Sequence, residues 1–134
     1  MTIAATIKND AHRNQVTMST NNNEKNLSIP GKTEGRGSSV NGGELLFLSL
    51  ATCFCNDVYR EAAKRDMEVD AVEVTVAGEF GKEGEPATNI TYSVNIQAAK
   101  CSGQAIADLI TYVDGVAEVH NTLRKGVPVL LKSK

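Results

Sequence analysis

Apolar and polar positions alternate in short runs over the first thirty residues, the period of half-buried strands. These runs are Thr2 to Lys8, Gln15 to Thr20 with Val16 and Met18 set against polar neighbours, and Leu27 to Ile29, with Asn9-Asp10 and Asn21-Asn22-Asn23 as turns. From Gly31 to Gly43 the apolar positions stop except for Val40, and glycine and serine dominate, which predicts a long loop. The period then becomes helical. Glu44 to Asp66 is apolar nearly all round as far as Phe54 and amphipathic after it, with Val58, Tyr59, Ala62 and Ala63 opposite Arg60, Glu61, Lys64 and Arg65. The charged side reads as a solvated face, and the first half as a segment that other elements must enclose.

Two runs of strict alternation follow, Val72/Val74/Val76 and Ile90/Tyr92/Val94/Ile96, joined through Gly81 to Pro86, and predict a long antiparallel hairpin with one buried face. Ser102 can cap a helix with an Ala105, Ile106, Leu109, Ile110, Val113 stripe, and Asp114 can cap a shorter one that Gly126 ends. Val127 to Leu131 reads as a last strand, placed on an edge by Pro128. The order β-β-β-α-β-β-α-α-β is α+β, expected as a single domain over residues 1–134. A buried central helix this apolar in so short a chain predicts a second copy that helps cover it.

Composition narrows the function. Fourteen Lys and Arg against 16 Asp and Glu give a net charge of -2, without the basic bias that phosphate backbones require, so nucleic acid is not expected. No run reaches the ~18 apolar residues of a membrane span, the start of the chain has no secretory apolar core, and the chain reads as cytoplasmic. The three cysteines, Cys53, Cys55 and Cys101, form no C-x-x-C pair, which argues against a disulfide framework and a zinc site; no metal or cofactor is expected.

The stretch Asn41-Gly42-Gly43-Glu44-Leu45-Leu46 followed by Ala51-Thr52-Cys53, and the later run Ala117-Glu118-Val119-His120-Asn121-Thr122-Leu123-Arg124-Lys125-Gly126-Val127-Pro128-Val129, resemble the OsmC/Ohr family of thiol-dependent peroxidases. The resemblance covers essentially the whole chain. It implies an intertwined homodimer with active sites at the subunit interface, and reduction of organic hydroperoxides by a thiolate that becomes a sulfenic acid. Cys53 matches the peroxidatic cysteine, but the resolving cysteine falls on Ala117 and the glutamate that orients the catalytic arginine falls on Gly43, leaving its neighbour Glu44. The resemblance places the arginine on the first hairpin, where Arg13 is the nearest match and Arg36 a weaker one.

Cys53 is therefore the candidate nucleophile, set against inert packing, since free cysteine is commonly buried and a thiol among apolar groups has its pKa raised. Cys55 points away from it on the same helix and reads as packing; Cys101 could resolve it only if the fold brought the two together. His120 lies one turn beyond Ala117, so it could enter the thiol's pocket and hold a thiolate or carry a proton, or else be a core histidine. Glu44 suits a helix start whatever its chemistry, and His12 and Arg13 suit a solvated turn. Two functions compete. One is a peroxidase with Cys53, Arg13, Glu44 and His120 at its site, resolved by an external thiol reductant. The other is a non-catalytic homodimer holding a small lipophilic ligand in an interfacial pocket lined by Leu46, Leu50, Phe54 and the Ala117 helix.

Overall fold

The structure is a computed structural model that describes residues 1–133. Contacts divide the chain into two compact units, Met1–Leu45 and Leu46–Lys134. The first holds an antiparallel sheet of β1 (Ile3–Asn9), β2 (Asn14–Thr20) and β3 (Asn23–Asn26), in that order. Asp10 turns β1 into β2: its carboxylate accepts the backbone N–H groups of His12 and Arg13 at 2.8 and 3.1 Å. Asn21 and Asn22 have φ of 48° and 65°, the conformation of a two-residue hairpin turn, so Thr20 pairs directly with Asn23. This corrects the expected position of the third strand. The tight turn starts it at Asn23, and Leu27 to Ile29 lie beyond it, with Ile29 buried.

Helix α1 (Gly42–Ala63) starts from a reciprocal cap: Asn41 Oδ1 accepts the Glu44 N–H at 2.9 Å, and Glu44 Oε2 accepts the Asn41 N–H at 2.8 Å. Leu50, Phe54, Val58 and Ala62 repeat every fourth position and form its buried stripe. The first half is less enclosed than its composition predicts: Leu45, Leu46 and Phe47 are half-buried and Leu48 is exposed. The second half is more enclosed. Glu61 is buried, with Arg60, Lys64 and Arg65 closing over its carboxylate at 3.1, 2.7 and 3.2 Å, so the supposed solvated face is an ion-pair cluster around one sequestered acid.

Strands β4 (Ala71–Phe80) and β5 (Ala87–Gln97) form the expected hairpin, pairing Val72 with Ile96, Val74 with Val94 and Val76 with Tyr92. The register shifts between Ala77 and Glu79, at Gly78, where a Cβ would stand 2.8 Å from the Phe47 ring. Only glycine lets the ring approach that closely.

Helix α2 (Gly103–Val116) is capped by Ser102, whose hydroxyl accepts the Ala105 N–H at 3.1 Å. Helix α3 (Glu118–Arg124) follows, and Gly126, at φ 58°, ends it: the Val127 N–H returns to the Thr122 carbonyl and the Gly126 N–H to Leu123. Ala117, not Asp114, occupies the N-cap of α3 and supplies no side-chain bond; Asp114 is in the last turn of α2, drawn into bonds with Tyr92 and Arg124. The expected strand at Val127 to Leu131 is absent. Among the described residues no strand pairs with it, and Val129 and Leu131 are 98% and 100% exposed.

Phe54, Val58, Leu109 and Val113 are completely enclosed and centre the core of the second unit, joined by Ala62, Ile96, Ala98 and Ala117. Each large member contributes roughly 1.5–3 kcal/mol through burial. Among the described residues, no helix is long and apolar enough to cross a membrane.

Candidate functional site

Cys53 and Asp57 are four residues apart on α1, so they share a face one turn apart. Ala117 is fully buried beside the same core, and the turn it makes between α2 and α3 brings Glu118 over that face. The half-buried Cys53 thiol stands 3.8 Å from Asp57 Oδ2 and 3.9 Å from Glu118 Oε2. Asp57 is 3% exposed, and Arg60, one turn further on, reaches its Oδ1 at 2.8 Å and Glu118 Oε1 at 3.9 Å.

This electrostatic setting favours a protonated thiol. Burial pushes the Cys53 pKa up, the Val119 backbone N–H works against that, and the Asp57 and Glu118 charges push it further up. Burial also raises the Asp57 carboxyl, with the Glu118 charge adding to it and Arg60 opposing it. The result is a thiol next to a carboxylate of enhanced basicity that is positioned to exchange a proton with it. Sγ and the two carboxylates lie within 4.8 Å of one another and comprise the donor atoms that could hold a metal ion, although Arg60 already supplies positive charge there.

The other sequence candidates are placed as follows. Glu44 is engaged in capping α1, as a helix-start role requires. Arg13 is in the β1–β2 turn of the first unit, where it lines a polar cavity of about 250 Å³ with His12, Lys32 and Arg36. Cys55 and Cys101 are half-buried free thiols; Cys55 borders an open apolar hollow beside Ala51, Thr52 and Val74, and the Cys101 sulfur is directed at the Glu68 carbonyl.

His120 is buried at 5% exposure, but its neighbours are rings: the Tyr92 centroid is 4.8 Å away and the Phe54 centroid 5.7 Å. Among the described residues neither of its nitrogens has a hydrogen-bond partner. Burial first, and then the Arg124 charge, lower its pKa against the Asp114 charge that raises it, which favours the neutral ring over the cation that the ion pair considered for it would need. Beside it Tyr92 donates to Asp114, which Arg124 Nη2 also holds at 2.6 Å. Burial and the Asp114 bond push Tyr92 to about 12.

The residues that sequence reasoning missed are Asp57, Arg60 and Glu118 around the thiol, and Tyr92, Asp114 and Arg124 around the imidazole. Spacing carried part of the signal. Asp57 is four residues after Cys53 and Arg60 three after Asp57, a continuous helical face. Glu118, adjacent to Ala117, required knowledge of the turn.

Residues 35–132 match the family described as OsmC-like protein. No curated protein sequence matches the chain. Among solved structures, an OsmC-like protein from Mycoplasma pneumoniae is similar with a TM-score of 0.63 and 21% identity over 94% of this chain and 87% of the other. The organic hydroperoxide resistance protein OhrB of Bacillus subtilis is similar with a TM-score of 0.56 and 16% identity over 100% and 98%. An organic hydroperoxide resistance protein OsmC from Legionella pneumophila is similar with a TM-score of 0.59 and 16% identity over 92% and 90%. At these identities the likeness is one of fold.

Proposed function

The chain belongs to the OsmC-like protein family, and on that premise we propose that it reduces organic hydroperoxides through Cys53, with an external thiol completing the cycle. The family supports a redox role in peroxide stress, since similar structures carry the name organic hydroperoxide resistance protein. The observation that carries the finer reading is the approach of Asp57 Oδ2 to the Cys53 thiol, at 3.8 Å. In the proposed reaction Asp57 takes the thiol proton as sulfur attacks the terminal oxygen of ROOH. The O–O bond breaks, the hydroxyl stays on sulfur as sulfenic acid, and the departing alkoxide takes the proton from Asp57 and leaves as ROH. Sulfur is oxidised by two electrons and the peroxide reduced by two. A low-molecular-weight thiol then condenses with the sulfenic acid, releasing water and leaving a mixed disulfide, and a second thiol restores Cys53. Arg60 stabilises the charge on Asp57 and Glu118 between steps. No step is assigned to Arg13, Glu44 or His120.

A homodimer in a reducing, cytoplasmic setting completes the reading. The exposed Leu48, Val129, Leu130 and Leu131 supply apolar surface that a second copy would cover. The test is one equivalent of cumene hydroperoxide added to the Cys55→Ser/Cys101→Ser protein, with intact mass and a sulfenic-acid trap as readouts. One added oxygen, trapped at Cys53, is expected. An unmodified Cys53 under conditions that oxidise an exposed control thiol sinks the proposal.

A further inference from the structure

A cavity of about 210 Å³ lies on the second unit, lined by Leu50, Ile90, Tyr92, His120, Leu123 and Arg124. Cys53 is not among its walls. Three aliphatic side chains and the Tyr92 ring make most of the lining apolar, and the polar feature without a partner is His120, whose two nitrogens are buried and unbonded among the described residues. Buried polar atoms are rarely left this way, and an exception calls for an unseen partner. The charged groups are already balanced: Arg124 is bonded to the Asp114 carboxylate and carbonyl at 2.6 and 2.8 Å, and Tyr92 donates to the same carboxylate.

We propose that this cavity binds a small, uncharged, mainly apolar molecule bearing one hydroxyl group, with His120 as the hydroxyl's partner. A neutral imidazole has one donor nitrogen and one acceptor, and a hydroxyl both donates and accepts, so it pairs with either tautomer. A carboxylate only accepts, and would bring a second negative charge beside Asp114, whose cation is already in use. Water satisfies the imidazole but leaves Leu50, Ile90 and Leu123 wet. The volume is below the ~300–1,000 Å³ of drug-sized pockets, which limits the occupant to about one ring or a short chain. This inference is independent of the thiol chemistry.

The experiment titrates the isotope-labelled full chain with phenol, toluene and benzoate and follows by NMR the imidazole resonances and the Leu50 and Ile90 methyl resonances from the cavity wall. The chain has 2 histidines, and His12, in the β1–β2 turn, is the internal control. Phenol is expected to shift the His120 signals saturably without moving His12, and to bind roughly five- to tenfold more tightly than toluene, the value of one net hydrogen bond. His120→Phe should bring phenol down to toluene's affinity. Leu123→Trp, which fills the cavity from a partly exposed position, should abolish the phenol shifts while His120 keeps its own resonances. Cys53→Ser should bind phenol as the parent does, which separates failure here from failure of the peroxidase reading. Toluene equal to phenol, benzoate tighter than phenol, phenol shifts that survive Leu123→Trp, or His120 signals that never move would each overturn the proposal.

Discussion

Replacing Asp57 with Asn removes a negative charge from beside the Cys53 sulfur at nearly constant shape, which isolates the electrostatic part of the site. At the observed 3.8 Å, two unit charges interact by about 4 kcal/mol at an effective dielectric of 20 and about 1 kcal/mol in bulk water. Cys53 is only half-buried, and Arg60 at 2.8 Å from Asp57 cancels part of its charge, so the lower end applies. With about 1.4 kcal/mol to a pKa unit, Asp57→Asn should lower the thiol midpoint by about one unit. Glu118→Gln should do less, about half a unit or less, because its side chain is 70% exposed and solvent screens it. The assay is the rate of iodoacetamide alkylation against pH in the Cys55→Ser/Cys101→Ser background. A midpoint for Asp57→Asn equal to or above that of the parent, or a larger shift from Glu118→Gln, refutes the account of the thiol's surroundings. Peroxide adds a second readout. If Asp57 also delivers the proton to the alkoxide, oxidation per thiolate should fall about tenfold or more in Asp57→Asn while alkylation per thiolate does not.

Phe54 is completely enclosed, and Phe54→Ala should cost about 3–5 kcal/mol in urea unfolding, with a loss near 1 kcal/mol contradicting its central place in the core. Lys64 and then Arg60 hold the Glu61 carboxyl down at about 2, below its ordinary 4.5, so the stability it contributes is full above 4.5 and is lost as pH falls towards 2. Thermal melts of Glu61→Gln should therefore show a shallower decline across that window than the parent; an equal slope counts against the cluster. His120 has its pKa lowered from 6.5, so the unfolded chain takes up the proton first, and stability should drop as pH falls below 6.5. That part of the drop should be missing from denaturant titrations of His120→Phe, and its persistence would assign it to other groups.

Much of the fold could be read from periodicity because its signals are local. The alternation of Val72/Val74/Val76 with Tyr92/Val94/Ile96 fixes one register, the one observed, since a one-residue slip would turn every apolar side chain outward. The Ser102 cap and the Gly126 stop depend on neighbours within a few residues. Expectations failed where structure depends on contacts distant in sequence. Val127 to Leu131 has a strand's composition but no partner strand among the described residues. Glu61 looks solvated in a charged run, and is buried because Arg60 on its helix and Lys64 and Arg65 in the turn that follows close over it.

At the thiol the same division holds, and it bears on how the site can work. Helical spacing carried the Cys53-Asp57-Arg60 face, although the charged run masked it as a solvated one, whereas Glu118 enters through the Ala117 turn, at the position where the family resemblance places a resolving cysteine. With a carboxylate on each side and burial acting in the same direction, the thiol is protonated at rest. A stored thiolate therefore cannot be the source of reactivity near neutral pH; sulfur must lose its proton as it attacks, and Asp57, raised by burial, is the base within reach. Oxidation of Cys53 should then be nearly independent of pH from neutrality towards the thiol's elevated pKa, because the reacting pair is a carboxylate and a protonated thiol, whereas alkylation, which needs the thiolate, should rise about tenfold per unit. An oxidation rate that climbs about tenfold per unit alongside alkylation would show that a pre-formed thiolate attacks, and would overturn the role given to Asp57.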